Sequence, residues 1–246
     1  MAEDGEGRPP ANGNGPAPGP EGSGDGPPEA GAVRYGSAAG HLALLPCILG
    51  SGMAFLDSTA VNVALPTLGR DLGTGFAGFQ WVVNAFLLTL GSLVLLGGAL
   101  GDRLGRRRVF LAGVVVFAGA SLACALAPGT GTLVAFRTAQ GVGAALLVPT
   151  SLALVQATFR EEDRAEAIGA WSGFSGISTL VGPLLGGWLA DAVSWRAVFL
   201  INLPLAALTA LAALRYLPGS RDPERAGSLD LAGAAAAVVA LGGVVF

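Results

Sequence analysis

Seven apolar stretches dominate the 246-residue chain, at about 42–65, 80–100, 109–127, 132–157, 167–190, 197–217 and 229–246. Each approaches the roughly 20 residues that a helix needs to cross the hydrocarbon of a bilayer. Short polar connections such as Pro128-Gly129-Thr130-Gly131 separate them. Inside hydrocarbon a backbone must satisfy its own hydrogen bonds, so such stretches fold as helices. Only 13% of residues are charged, against about 25% in a soluble domain. A simple soluble enzyme is excluded. Every one of the 14 cationic residues is Arg, which removes a Walker-type phosphate loop, a Schiff-base lysine and a lysine base. Cys47 and Cys124 sit inside apolar runs and His41 is the sole histidine. No disulfide framework, metal site or cofactor is expected, and no nucleic-acid partner.

Charge divides the chain. Residues 1–40 hold Glu3, Asp4, Glu6, Glu21, Asp25 and Glu29 against Arg8 and Arg34, a balance of −4 within an overall −3, so the rest sums to +1. With 11 Gly and 7 Pro in forty positions, this segment is expected to be a disordered cytoplasmic tail. It lacks the basic start and apolar run of a cleaved signal. With the N-terminus inside, cytoplasmic connections receive Arg103, Arg106, Arg107, Arg108, Arg160, Arg164, Arg215, Arg221 and Arg225, and outer ones only Arg70 and Arg196. That asymmetry predicts a cytoplasmic N-terminus. The expected organisation is a six-helix bundle over 41–217, a cytoplasmic loop over 218–228 and the start of a seventh span over 229–246. Because that last apolar run is unbroken at Phe246, the chain is expected to be a fragment, with six complete spans and the beginning of a seventh.

An internal repeat orders the helices. Gly97-Gly98-Ala99-Leu100-Gly101-Asp102, continuing to Arg107-Arg108-Val109-Phe110-Leu111, recurs 89 residues later as Gly186-Gly187-Trp188-Leu189-Ala190-Asp191, continuing to Arg196-Ala197-Val198-Phe199-Leu200; eight of fifteen positions match. The first copy joins spans two and three inside, and the second joins spans five and six outside. The repeat unit is therefore three helices, inserted twice in opposite senses. Such inverted repeats characterise secondary transporters, with the substrate path at the repeat interface.

Several motifs then carry a resemblance. Gly98-Ala99-Leu100-Gly101-Asp102-Arg103-Leu104-Gly105-Arg106-Arg107-Arg108 resembles the signature loop of the major facilitator superfamily, itself among the known cases of inverted repeats. Gly98 and Gly105 would permit close helix approach and a tight turn. The resemblance implies a cytoplasmic latch between two transporter halves, with Gly98, Asp102, Arg103, Gly105 and Arg106 as its conformational switch. Arg137, in Arg137-Thr138-Ala139-Gln140-Gly141, is a cation within a span, which is costly and by default functional. Its stretch is similar to the family's fourth-helix motif, which implies a part in proton coupling. Asp57 is the sole acid well inside the six complete spans, so Asp57 and Arg137 are expected to face one another. A static ion pair is the alternative.

In span five, Gly176 followed by Gly182-Pro183-Leu184-Leu185-Gly186-Gly187 resembles the superfamily's antiporter motif. Read from the residues alone, it is a kinked, glycine-packed helix. Leu56 to Pro66, Gln80 to Phe86, Trp195 to Pro204 and Asp230-Leu231-Ala232-Gly233 together resemble the fourteen-span drug:proton antiporters. Asn84 stands where a small hydroxyl residue is frequent, and Ala197 where an aromatic is usual. The resemblance implies a non-enzymatic membrane protein that exchanges protons for small amphipathic drugs or antibiotics by alternating access. It also implies the plasma membrane as location and a missing C-terminal half as partner. Asn62, Asn84 and Gln140 are candidate cavity-lining residues. Rival readings are a metabolite symporter of the same fold and a non-transporting fragment. Gly173-Phe174-Ser175-Gly176 matches a serine-nucleophile pattern, but no histidine follows His41 to act as base.

Overall fold

The structure, a computed structural model, describes residues 33–217. They form α1 (Ala38–Leu72), α2 (Phe76–Leu104), α3 (Arg106–Ala125), α4 (Thr130–Thr158), a short 3₁₀ turn at Glu161–Asp163, α5 (Arg164–Ala192), α6 (Trp195–Leu200) and α7 (Asn202–Tyr216). Six helical segments are long and apolar enough to cross a membrane, the sixth being α6 and α7 together over Trp195–Tyr216. The acidic tail up to residue 32, the loop 218–228 and the stretch 229–246 lie outside the described residues. Among the described residues the protein is an all-helical membrane bundle.

The helices outrun the apolar stretches because hydrogen bonding continues until a cap stops it. α1 starts where Ser37 Oγ accepts the Gly40 amide at 3.0 Å and ends at Gly73, whose φ of 62° is left-handed. Between α2 and α3 the expected loop shrinks to one residue. Gly105, at φ 98°, turns the chain from Leu104 to Arg106, a conformation that an L side chain resists. The sixth span breaks at Ile201. Pro204 explains the break, because its ring lacks a donor and clashes with the carbonyl four residues back, that of Leu200.

The inverted repeat is visible in the packing. α1 packs on α5 and on α6 and α7, while α4 packs on α2 and α3. Thus the first helix of each repeat is held by the second and third helices of the other. Gly97 and Gly186, equivalent in the sequence repeat, both let two helices touch. A Cβ at Gly97 would strike the Ala145 carbonyl of α4, and one at Gly186 would strike Ala60 of α1. Close approach is thereby carried by Gly97 and Gly101, the latter tight against Thr150. At Gly98, where the sequence predicts close approach, a Cβ would only reach Pro149 at 3.9 Å.

Contacts at the two ends fix the alternation of spans. At one end Val33 pairs with the chain around Phe159, and the Arg107 guanidinium donates to the Leu214 carbonyl at 2.6 Å. At the other, Asp71 accepts from Trp195 Nε1 at 2.9 Å and pairs with Arg196 at 3.3 Å. The buried apolar residues form two clusters. One contains Phe86, Phe110, Phe117 and Phe159, and the other Leu68, Leu133, Trp195 and Phe199. A polar seam lies between them.

Candidate functional site

The seam draws on six helical segments. Asp57 of α1 is 0% exposed and Arg137 of α4 is 1% exposed. Arg137 Nη1 donates to Asp57 Oδ2 at 2.5 Å. The other carboxylate oxygen, Oδ1, accepts from Gln140 Nε2 of α4 at 2.9 Å and from Asn202 Nδ2 of α7 at 2.8 Å. Three donors from two helices thus converge on one carboxylate of a third. Such hydrogen bonding to an opposite charge is what makes burial of an ion pair tolerable.

Arg137 is held independently of Asp57. Its Nε donates to the Val82 carbonyl of α2 at 3.2 Å, and its Nη1 to Gln140 Oε1 at 2.8 Å. The guanidinium lies 4.3 Å from the Phe86 ring centroid and 5.8 Å from that of Phe199, within reach of a cation–π attraction. It therefore joins the two apolar clusters. Ser121 of α3 extends the seam: its hydroxyl donates to the Phe199 carbonyl at 2.9 Å and accepts from Asn202 at 2.9 Å. That carbonyl is available because the break at Ile201 ends α6 beside it. Among the described residues, Asn202 Oδ1 is one of three buried side-chain atoms without a hydrogen-bond partner.

Asp57 and Arg137, paired by sequence reasoning, do meet across 80 positions of chain. Gln140 does not face open space as a cavity-lining residue would; its amide is committed to Asp57 and Arg137. Asn62 and Asn84 are exposed, and the Asn62 amide turns back to the Ser58 carbonyl of its own helix at 2.7 Å. The three therefore line no common surface. Sequence reasoning misses Asn202 and Ser121. Their signal is faint: a lone amide just after Phe199-Leu200-Ile201, and a hydroxyl among the apolar residues of span three.

The loop motif forms a second cluster at the α2–α3 corner. Arg106 donates to Asp102 Oδ1 through Nε at 3.0 Å and Nη2 at 2.9 Å, and through Nη1 to the Ala153 carbonyl of α4 at 3.1 Å. Asp102 keeps 45% of its side chain exposed. Arg103 is exposed on the same turn. On α5, Gly182 lies against Thr59 and Leu56, Gly186 against Ala60, and Gly187 would place a Cβ 3.4 Å from Val63. Gly176 faces open space, and Pro183 is exposed in an unbroken helix.

Similarity to known proteins decides the family. Residues 47–245 match the profile of the Major Facilitator Superfamily. The chain belongs to that superfamily. It is 44% identical over 206 residues to the multidrug resistance protein Stp of Mycobacterium tuberculosis, covering 83% of this chain and 38% of that protein. It is 40% identical over 203 residues to the tetracenomycin C resistance and export protein of Streptomyces glaucescens, covering 82% and 37%. To the methylenomycin A resistance protein of Bacillus subtilis it is 38% identical over 207 residues, covering 84% and 44%. The chain thus spans less than half the length of these relatives. Among solved folds it resembles a bacterial homolog of the human lysosomal transporter Spinster (TM-score 0.60, 21% identity, 79% of this chain and 47% of that one). A peptide transporter, POT, is similar with a TM-score of 0.64 and 17% identity, over 87% of this chain and 46% of that one. Relatives and fold neighbours of this superfamily member are transporters rather than enzymes.

Proposed function

We propose that this chain is the N-terminal half of a proton-driven exporter of amphipathic drugs or antibiotics, set in the plasma membrane with its N-terminus cytoplasmic. The efflux part is supported by three antibiotic or multidrug resistance relatives at 38%, 40% and 44% identity. The Arg excess on one side supports the orientation. The coupling part is carried by one observation: a fully buried carboxylate whose donors come from helices of the other repeat.

Asp57 ties α1 of the first repeat to α4 and α7 of the second. When a proton binds Asp57, the charge that attracts Arg137 is removed. Arg137 stays behind, held by Val82, Gln140 and the Phe86 ring. The α1 seam then loosens on both α4 and α7. Rocking of the bundle exposes the protonated acid to the other side, where loss of the proton restores the pair. Substrate leaves as the proton enters, because both are linked to the same α1 seam. Asp102, Arg103 and Arg106, turned by Gly105 and flanked by Gly98, form the cytoplasmic latch toward the C-terminal half. Gly176, Gly182, Pro183, Gly186 and Gly187 form the antiporter segment, in which Gly182, Gly186 and Gly187 hold α5 tight on α1. Protons, a small amphipathic substrate, the bilayer and the remaining half are the partners.

The test uses cells expressing the complete transporter that contains this half, loaded with a fluorescent lipophilic cation. Efflux should run in energised cells and collapse when a protonophore dissipates the pH gradient. Efflux that persists without the gradient overturns proton coupling, and accumulation in place of efflux assigns symport.

A further inference from the structure

A cavity of about 210 Å³ opens between α1 and α5, and no side chain of the Asp57 seam lines it. Its lining is Phe55 of α1 and Trp171, Ser172, Ser175, Gly176 and Thr179 of α5. On α5, positions 172, 175 and 179 follow helical spacing, so their hydroxyls form one stripe. Two aromatic rings stand with that stripe, and no charged side chain is among the lining. The walls are therefore neutral, part aromatic and part hydroxyl-bearing, with the hydroxyls confined to one helix.

Two independent observations mark the cavity as a binding site. First, Ser175 is 1% exposed, yet its Oγ has no hydrogen-bond partner. A buried hydroxyl left unpaired is costly, and a helical serine can ordinarily bond back to its own helix. Second, the Trp171 ring is fixed in advance. Its Nε1 donates to Ser151 Oγ of α4 at 3.2 Å, and Ser151 is bonded to Ser51 of α1 at 2.5 Å. A ring held from α4, by a serine that is itself bonded to α1, offers a face with less rotamer freedom to lose on binding. Gly176 completes the space: a Cβ there would meet nothing within 4 Å. The size is below the roughly 300–1,000 Å³ of drug-sized sites, so the cavity takes one ring system rather than a whole drug.

We infer that this cavity is a subsite for the planar aromatic portion of the transported molecule, recognising a neutral ring system that carries a hydroxyl or carbonyl for Ser175. The inference deepens the exporter reading and rests on it for the word "transported". Aromatic walls give ring contact, and Ser175 gives orientation. A saturated ring of equal bulk fills the volume but stacks poorly. An aromatic without a polar substituent stacks but leaves the Ser175 hydroxyl unpaired.

The test is binding to the 246-residue chain in lipid nanodiscs, with empty nanodiscs as reference for partitioning. The probes are 1-naphthol, naphthalene and decahydro-1-naphthol. Saturable binding is expected to be tightest for 1-naphthol, exceeding naphthalene by about fivefold. Ser175→Ala should erase that preference while naphthalene binding remains. Gly176→Leu, which fills the cavity in a position with room for it, should abolish saturable binding of both aromatics. Unaltered 1-naphthol affinity in both variants overturns the subsite, as does equal affinity for the saturated alcohol. Proton-driven export plays no part in this readout, so failure here and failure of the efflux experiment are separate results.

Discussion

At the scale of single residues, the centre of the molecule is one carboxylate with three donors. Removing one partner of a buried ion pair strands the other charge, at a cost of about 3–5 kcal/mol. Asp57→Ala and Arg137→Met are each expected to destabilise the bundle by that amount, read as the free energy of reversible unfolding in micelles. Asn202→Ala removes a donor but no charge, so about 1–3 kcal/mol is expected from the same measurement. If Asn202→Ala costs as much as Asp57→Ala, the seam is held by packing at α7 rather than by charge. The two ionisable residues are readable in the sequence because charge in an apolar run is rare. Their neutral partners are not. Gln140, Asn202 and Ser121 look like Asn62 and Asn84 in sequence, and only the rotation of each helix about its axis separates the buried group from the exposed one.

At the scale of elements, glycine placement sets how closely helices approach. Gly97→Ala would push a methyl group onto the Ala145 carbonyl of α4, and α2 would have to move off α4 at about 1–3 kcal/mol. Gly119→Ala, on α3 with nothing within 4 Å of its would-be Cβ, is expected to be neutral or to stabilise by up to about 1 kcal/mol. Opposite signs of the two changes in thermal unfolding check the assignment. Equal effects would mean that helix propensity, not interhelical contact, governs both sites. The six spans are readable because bilayer thickness imposes a length on them. Their ends are not, since hydropathy reports where hydrocarbon stops rather than where a cap stops the helix, as Ser37 and Gly73 do. The break at Ile201 has a signal in Pro204, whose effect falls one turn upstream.

At the scale of the whole molecule, the exchange of helices between repeats is readable from two short matching segments, because the copies lie on opposite sides of the membrane. Long exposed apolar side chains on α5, among them Leu180, Leu184 and Trp188, are free to meet lipid or protein. The proposed latch at the α2–α3 corner belongs to this scale. Asp102→Asn in the complete transporter should leave membrane insertion intact, because the arginines that orient the chain remain. Export should fall by about tenfold. Export at the wild-type rate in both Asp102→Asn and Gly105→Val would reduce the corner to a connector.

If proton binding at Asp57 drives the cycle, substrate addition to proteoliposomes of the complete transporter must release protons, and the pair must be irreplaceable. The deciding measurement compares substrate-induced proton release for wild type, Asp57→Asn, Arg137→Gln and the double variant. Coupling through Asp57 predicts release from wild type, and none from Asp57→Asn or from the double variant although both remain folded. Recovery of coupled transport in the double variant would contradict it and leave Asp57 and Arg137 as a static pair holding α1 to α4.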